Sequence, residues 1–104
     1  MTNFVLLYTG GTMPESEEQH AEMMAVWGAW YAKMGAAVVD GGNPFGRAMN
    51  VSENGTKDGS ACTPPATGYT IIAAESLDAA VESVQDHPQL KYGGQVTVHE
   101  TFEM

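Results

Sequence analysis

A carboxylate held beside an imidazole is the simplest acid–base device a protein can build at neutral pH: the acid orients the ring and stabilises its charged form while the ring moves the proton. In this 104-residue chain the candidate acid is Asp40 and the candidate bases are His20 and His99. Asp40 stands out by position. The stretch Val38-Val39-Asp40-Gly41-Gly42-Asn43-Pro44-Phe45-Gly46 joins a short apolar run to an acid, two glycines and a proline. It reads as a strand whose end delivers a carboxylate into a shaped turn. Gly41 and Gly42 admit backbone angles closed to other residues, and Pro44 fixes its own torsion and keeps Asn43 extended. The alternative is structural, with Asp40 capping nearby backbone N–H groups.

The other candidates ride on the elements around that turn. Ser16-Glu17-Glu18-Gln19 has the spacing of a capping box, which starts a helix that runs to about Gly35. Met23, Trp27, Trp30, Tyr31 and Met34 follow at steps of four, three, one and three and share one face of it. That face covers a sheet, with Trp27 or Tyr31 as candidates for the border of a ligand cavity. His20 lies two turns before Trp27, near the same broad face, but Glu17, Glu18 and Glu22 around it equally suit a solvated, protonated ring. Asn43 is the first choice for holding a substrate oxygen through its amide, with the hydroxyls of Tyr8 and Tyr31 behind it and Phe45 beside it.

The remaining elements follow from periodicity. Asn3 to Thr9 is an almost unbroken apolar run, expected as a central strand buried on both faces. Arg47 to Ser52 reads as a strand entering a hairpin at Asn54-Gly55, whose return strand the pattern does not specify. Thr56 to Pro65 reads as a surface loop, Gly68 to Ala74 as a third main strand, and Ser76 as the cap of a helix with Leu77, Ala80, Val81 and Val84 as its buried stripe. His87 falls at the end of that helix, where a positive ring would suit the dipole. Gln95 to Phe102 closes the chain as a strand with Val96, Val98, Glu100 and Phe102 on one face and Thr97, His99 and Thr101 on the other. This order predicts an α+β, ferredoxin-like sandwich: an antiparallel sheet, two helices on one face and a hairpin excursion, all in one domain spanning 1–104. Two helices cover one face only, so the apolar residues of the other face predict a homodimer.

Composition removes several classes of function. Four basic against thirteen acidic residues give a net charge of −9, which repels nucleic acid and anionic membrane surfaces. Cys62 is the only cysteine, so no internal disulfide forms, and without a neighbouring base it reads as an incidental thiol. With no basic, apolar leader at its start the chain is expected to be cytoplasmic. His20, His87 and His99 are scattered and lack ligand spacing, so no metal and no cofactor is expected.

Several of these motifs together resemble the YCII-related family in its DGPF-type branch. They are Phe4-Val5-Leu6-Leu7-Tyr8 with Gly10-Gly11, Trp27-Gly28-Ala29-Trp30, Val39-Asp40-Gly41-Gly42-Asn43-Pro44-Phe45-Gly46, Gly68-Tyr69, Glu75-Ser76-Leu77-Asp78-Ala79-Ala80 and the closing Phe102-Glu103-Met104. The resemblance implies a dimeric α/β barrel, formed by two ferredoxin-like sheets closing on each other, with a cleft near the interface. It also implies, for some members, a histidine–aspartate pair and, in one branch, elimination of chloride from a hydroxylated aromatic ring. Asp40 matches the strand-end acid. The family's helical histidine would fall near Met24, one turn beyond His20, which leaves three alternatives: His20 serves from a shifted position, His99 replaces it from the sheet, or the site has lost the chemistry. Two functions are therefore carried forward: a small acid–base enzyme performing proton transfer or elimination on a compact, for example aromatic, substrate, and a non-catalytic small-ligand-binding or assembly module.

Overall fold

The computed structural model describes residues 1–103; Met104, the last residue of the closing motif, lies outside them. β1 (Thr2–Gly10) leads to α1 (Glu17–Met34), a single 3₁₀ turn (Gly35–Ala37) and β2 (Val38–Asp40). β3 (Met49–Ser52) and β4 (Gly55–Asp58) form a hairpin, and β5 (Ala66–Ala74), α2 (Leu77–Ser83), α3 (Pro88–Lys91) and β6 (Gly94–Glu100) complete the chain. The main sheet has the order β2-β5-β1-β6 and every pairing is antiparallel. With the hairpin left aside this is the split β-α-β arrangement of a ferredoxin-like fold, as the sequence predicts. Among the described residues, no helix is long and apolar enough to cross a membrane.

Local chemistry explains the helix boundaries. Ser16 accepts the Gln19 N–H at 3.1 Å, and Gln19 Oε1 reaches back to the Glu15 N–H at 2.7 Å, one residue before the position a capping box requires. Gly35 ends the helix at φ +53°, its N–H bonded to the Tyr31 carbonyl. Ser76 caps α2 in the same way as Ser16, accepting the Ala79 N–H at 3.1 Å.

α1 and α2 cover one face of the sheet. Trp30 of α1 and Ala80 and Val84, at the end of α2, pack on Phe4, Leu6, Tyr8 and Ile72. β1 is not buried on both faces: Phe4, Leu6 and Tyr8 are buried while Val5 and Leu7 are only partly so, because no helix lies over them. Leu77 and Val81 are exposed, so the stripe on α2 narrows to Ala80 and Val84. The second helical segment also breaks in two, since Pro88 cannot continue α2 and instead starts α3. β6 ends at Glu100, and Phe102 is 85% exposed rather than part of a strand. The return strand missing from the sequence pattern is β4, which turns the expected loop from Thr56 into an element as far as Asp58.

β2 carries an irregularity that matters for the site. Val38 pairs with Ile72 but Asp40 pairs with Ile71, so two steps along β2 match one step along β5 and Val39 is the extra residue. Simple alternation would put Asp40 on the face of Val38, toward the helices. The bulge moves it onto the open face instead. Beyond it the backbone turns at Gly42, φ +73°, so close to β5 that a Cβ there would sit 1.7 Å from the Tyr69 carbonyl oxygen. Gly42→Ala therefore combines a disfavoured backbone angle with a clash against backbone, and should cost about 3 kcal/mol in urea unfolding; a loss within measurement error would show that the turn can move away.

Candidate functional site

The turn after β2 is tied down on every side. Asp40 Oδ1 accepts the Gly42 N–H at 2.9 Å. The Gly41 carbonyl accepts from the Tyr31 hydroxyl at 3.0 Å and from Thr70 Oγ1 at 3.1 Å. Pro44 bridges to Gly68, the Phe45 N–H donates to the Thr67 carbonyl at 2.8 Å, and the Phe45 ring stacks on Tyr69 at 5.8 Å. Asp40, Asn43 and Phe45 are thus presented to solvent from a backbone that has little freedom to move.

Behind the turn lies a polar network that the sequence does not announce. His87 is 1% exposed. Its Nδ1 accepts the Gln89 N–H at 2.9 Å and so caps α3, which leaves the proton on Nε2. Nε2 donates to the Tyr8 hydroxyl at 2.9 Å, Tyr8 donates to Thr70 Oγ1 at 2.6 Å, and Thr70 donates to the Gly41 carbonyl. The Tyr31 hydroxyl lies 3.1 Å from the same threonine. Trp30, Trp27 and Tyr8 surround the imidazole with ring centroids at 4.4, 4.8 and 4.9 Å. Burial in this aromatic cage pushes the His87 pKa down to about 4, against a weaker upward pull from the Asp86 carboxylate. Burial also raises the Tyr8 phenol above its usual value. The positive ring expected at the end of α2 is therefore a neutral one at the start of α3. Pro88 was the available signal, since proline at the first position of a helix marks the preceding residue as its cap.

The candidate residues fall into three groups. Tyr8, Trp27 and Tyr31 come together around His87, Tyr8 only 5% exposed and the other two partly buried. Asp40, Asn43 and Phe45 share the turn, joined to the first group through the Gly41 carbonyl. His20 stands apart: it is exposed on the first turn of α1, while Tyr31, which touches the turn, is eleven residues further on, about 16 Å along the axis.

His99 is exposed on β6 and bears a definite relation to Asp40. Asp40 pairs with Ile71, Ile71 with Val5, and Val5 with His99. Directly paired residues share a face, so these four form one row across the open side of the sheet with the acid and the imidazole at its ends. Three strand spacings separate them, about 14 Å. Within one chain they do not meet. Between them the open face is apolar, with Val5, Leu7, Tyr69 and Ile71 partly buried and Thr97 beside His99 exposed.

His87 gives the fold a pH dependence whose sign follows from its surroundings. The unfolded chain takes up this proton near pH 6.5 and the folded chain only near 4, so in that window the unfolded state binds more protons. Stability should fall as pH drops from 6.5 toward 4, by at most about 3 kcal/mol from this group. Urea unfolding at several pH values should show that slope in the wild type and a flatter one in His87→Leu, which is also less stable at pH 7 because Tyr8 loses its partner. Equal slopes in the two proteins would contradict the assignment.

No family model matches the chain, and neither does any curated protein. Among solved structures the fold is similar to 5-chloro-2-hydroxyhydroquinone dehydrochlorinase (TftG) from Burkholderia phenoliruptrix AC1100, in complex with 2,5-dihydroxybenzoquinone. The match has a TM-score of 0.55 at 19% identity and covers 97% of this chain and 95% of that one. At that identity the likeness establishes a shared fold.

Proposed function

We propose that two copies of this chain pair through the open faces of their sheets as a dimeric α/β barrel, and that Asp40 of one copy and His99 of the other form an acid–base pair acting on a small hydroxylated aromatic substrate. The observation that carries this reading is the row Asp40–Ile71–Val5–His99. A two-fold axis parallel to the strands reverses the row in the second copy and lays each end over the opposite end of its partner. Packed sheets stand about 10 Å apart, a gap that an aspartate and a histidine reaching toward each other can span. The structural likeness to an enzyme acting on a chlorinated hydroquinone supports the choice of chemistry and of substrate class.

In this reading the imidazole of His99 removes a hydroxyl proton and Asp40 stabilises the resulting charge through its second carboxylate oxygen, the first being held by Gly42. The electron pair moves into the ring, and the carbon bearing the leaving group takes a proton. Loss of a second hydroxyl proton then expels the leaving group as an anion. The net change is loss of one proton and one anion, leaving a quinone. Asn43 donates its amide to a substrate oxygen, and Phe45 and Tyr69, already stacked, offer an aromatic wall.

One observation favours a non-catalytic ligand-binding module instead: the hydrogen bond from the Gly42 N–H gives Asp40 a purely structural task. Chloride release from 5-chloro-2-hydroxyhydroquinone separates the two readings. The acid–base reading expects turnover that falls about 100-fold in both Asp40→Asn and His99→Gln, with His20→Gln unchanged. A loss in His20→Gln alone would return the role to α1. A wild type that binds 2,5-dihydroxybenzoquinone without releasing chloride from the chlorinated compound would favour the binding module.

A further inference from the structure

The β3–β4 hairpin is a second sheet of its own, paired from Met49–Asp58 to Ser52–Gly55, and no other element among the described residues packs closely against it. Every residue of both strands is exposed except Asn50, which is partly so. The chain is correspondingly spread out. Its radius of gyration is 15.1 Å, against about 13 Å for a compact chain of this length, and it measures 44 × 41 × 18 Å. A two-stranded hairpin with nothing beneath it is marginal in water and is stabilised by packing on something else. One face of this hairpin is prepared for that. Met49, 52% exposed, and Val51, 74% exposed, lie side by side with Thr56 and Asp58, while Asn50, Ser52 and Lys57 take the other face.

Charge identifies what it packs on. Of the four basic residues in the chain, Arg47 and Lys57 stand on this arm, where they balance Glu53 and Asp58; the whole net charge of −9 therefore lies on the rest of the molecule. Two copies brought together body to body repel each other, whereas an arm of zero net charge with an apolar face can approach an acidic body without that cost. The arm also springs from the edge of the open face, since Phe45 at its base stacks on Tyr69. We propose that the β3–β4 hairpin is a clasp that closes on a second copy of this chain, with Met49 and Val51 as its apolar contact and with Asp58, on the same face, neutralised by its ion pair to Arg47 at 3.4 Å so that it does not oppose the partner's acidic surface. This rests on the pairing of two copies proposed above, and adds the element that holds them.

Sedimentation equilibrium tests it on two variants. In the first, residues 49–58 are replaced by two glycines, which closes the chain where the Gly59 N–H already meets the Ala48 carbonyl at 2.9 Å. In the second, Met49→Glu and Val51→Glu are combined in the full-length chain. The wild type should dimerise, and both variants, with unchanged circular dichroism, should dissociate at least about tenfold more readily. Dimers as tight as the wild type in both variants, or a wild type that stays monomeric at every concentration, would overturn the proposal. Thr97→Arg, placed on the open face away from the arm, separates the two interfaces. Dissociation in Thr97→Arg with tight dimers in both arm variants removes the clasp and keeps the paired sheets. The converse keeps the clasp and removes the paired sheets.

Discussion

The carbonyl oxygen of Gly41 is where the core and the surface of this protein are joined. It accepts from Tyr31 on α1 and from Thr70 on β5, and Thr70 is in turn bonded to Tyr8 and through it to a buried, neutral His87. The buried members, Tyr8, Thr70 and His87, would each cost about 1–3 kcal/mol without a partner, so their bonds form as a set. The turn at Asp40 cannot shift without breaking the bonds that Tyr31 and Thr70 donate to the Gly41 carbonyl, and His87 cannot leave its cage without uncapping α3. A network of this kind fixes one geometry rather than adding much net stability.

That fixed geometry is what gives the open face its meaning. The bulge at Val39 turns Asp40 away from the helices, and the register of β5, β1 and β6 then carries the row straight across to His99. In the acid–base reading neither end of the row is complete alone. The apolar centre between them, flanked by polar ends, has the character of a surface made to be covered. The net negative charge on the body would make covering by a second copy costly in one respect, a cost that the proposed clasp, a hairpin of zero net charge, would offset.

Much of the fold was legible in the sequence because it depends on local rules. The caps at Ser16 and Ser76, the stop at Gly35, the stripe from Met23 to Met34 and the alternation that puts Val96 and Val98 on the side opposite His99 all follow from neighbours within a few residues. What was not legible depends on pairing across the chain. Alternation along Val38-Val39-Asp40 gives the wrong face for Asp40, because the bulge is set by how β2 meets β5. β1 reads as doubly buried because Val5 and Leu7 are apolar, and only the placement of the helices leaves their side open. His87 reads as a positive ring at the end of a helix because the partners that keep it neutral are Tyr8, 79 positions away, and two tryptophans on another helix. The candidate turn was therefore visible as a motif, while the network that holds it was not.

The most direct test of the account asks whether Asp40 of one copy faces His99 of the other, and needs no substrate. In a Cys62→Ser background, Asp40→Cys and His99→Cys are combined in one chain and treated with a bis-maleimide of about 8–10 Å reach, matched to the gap between packed sheets and short of the three strand spacings that separate the two positions within a chain. The account predicts covalent dimers from the double variant, and from an equal mixture of the two single variants, but not from either single variant alone. Only monomers in the double variant, or equally efficient dimers from one single variant, would mean that the two ends of the row never meet and that the acid–base pair is not built this way.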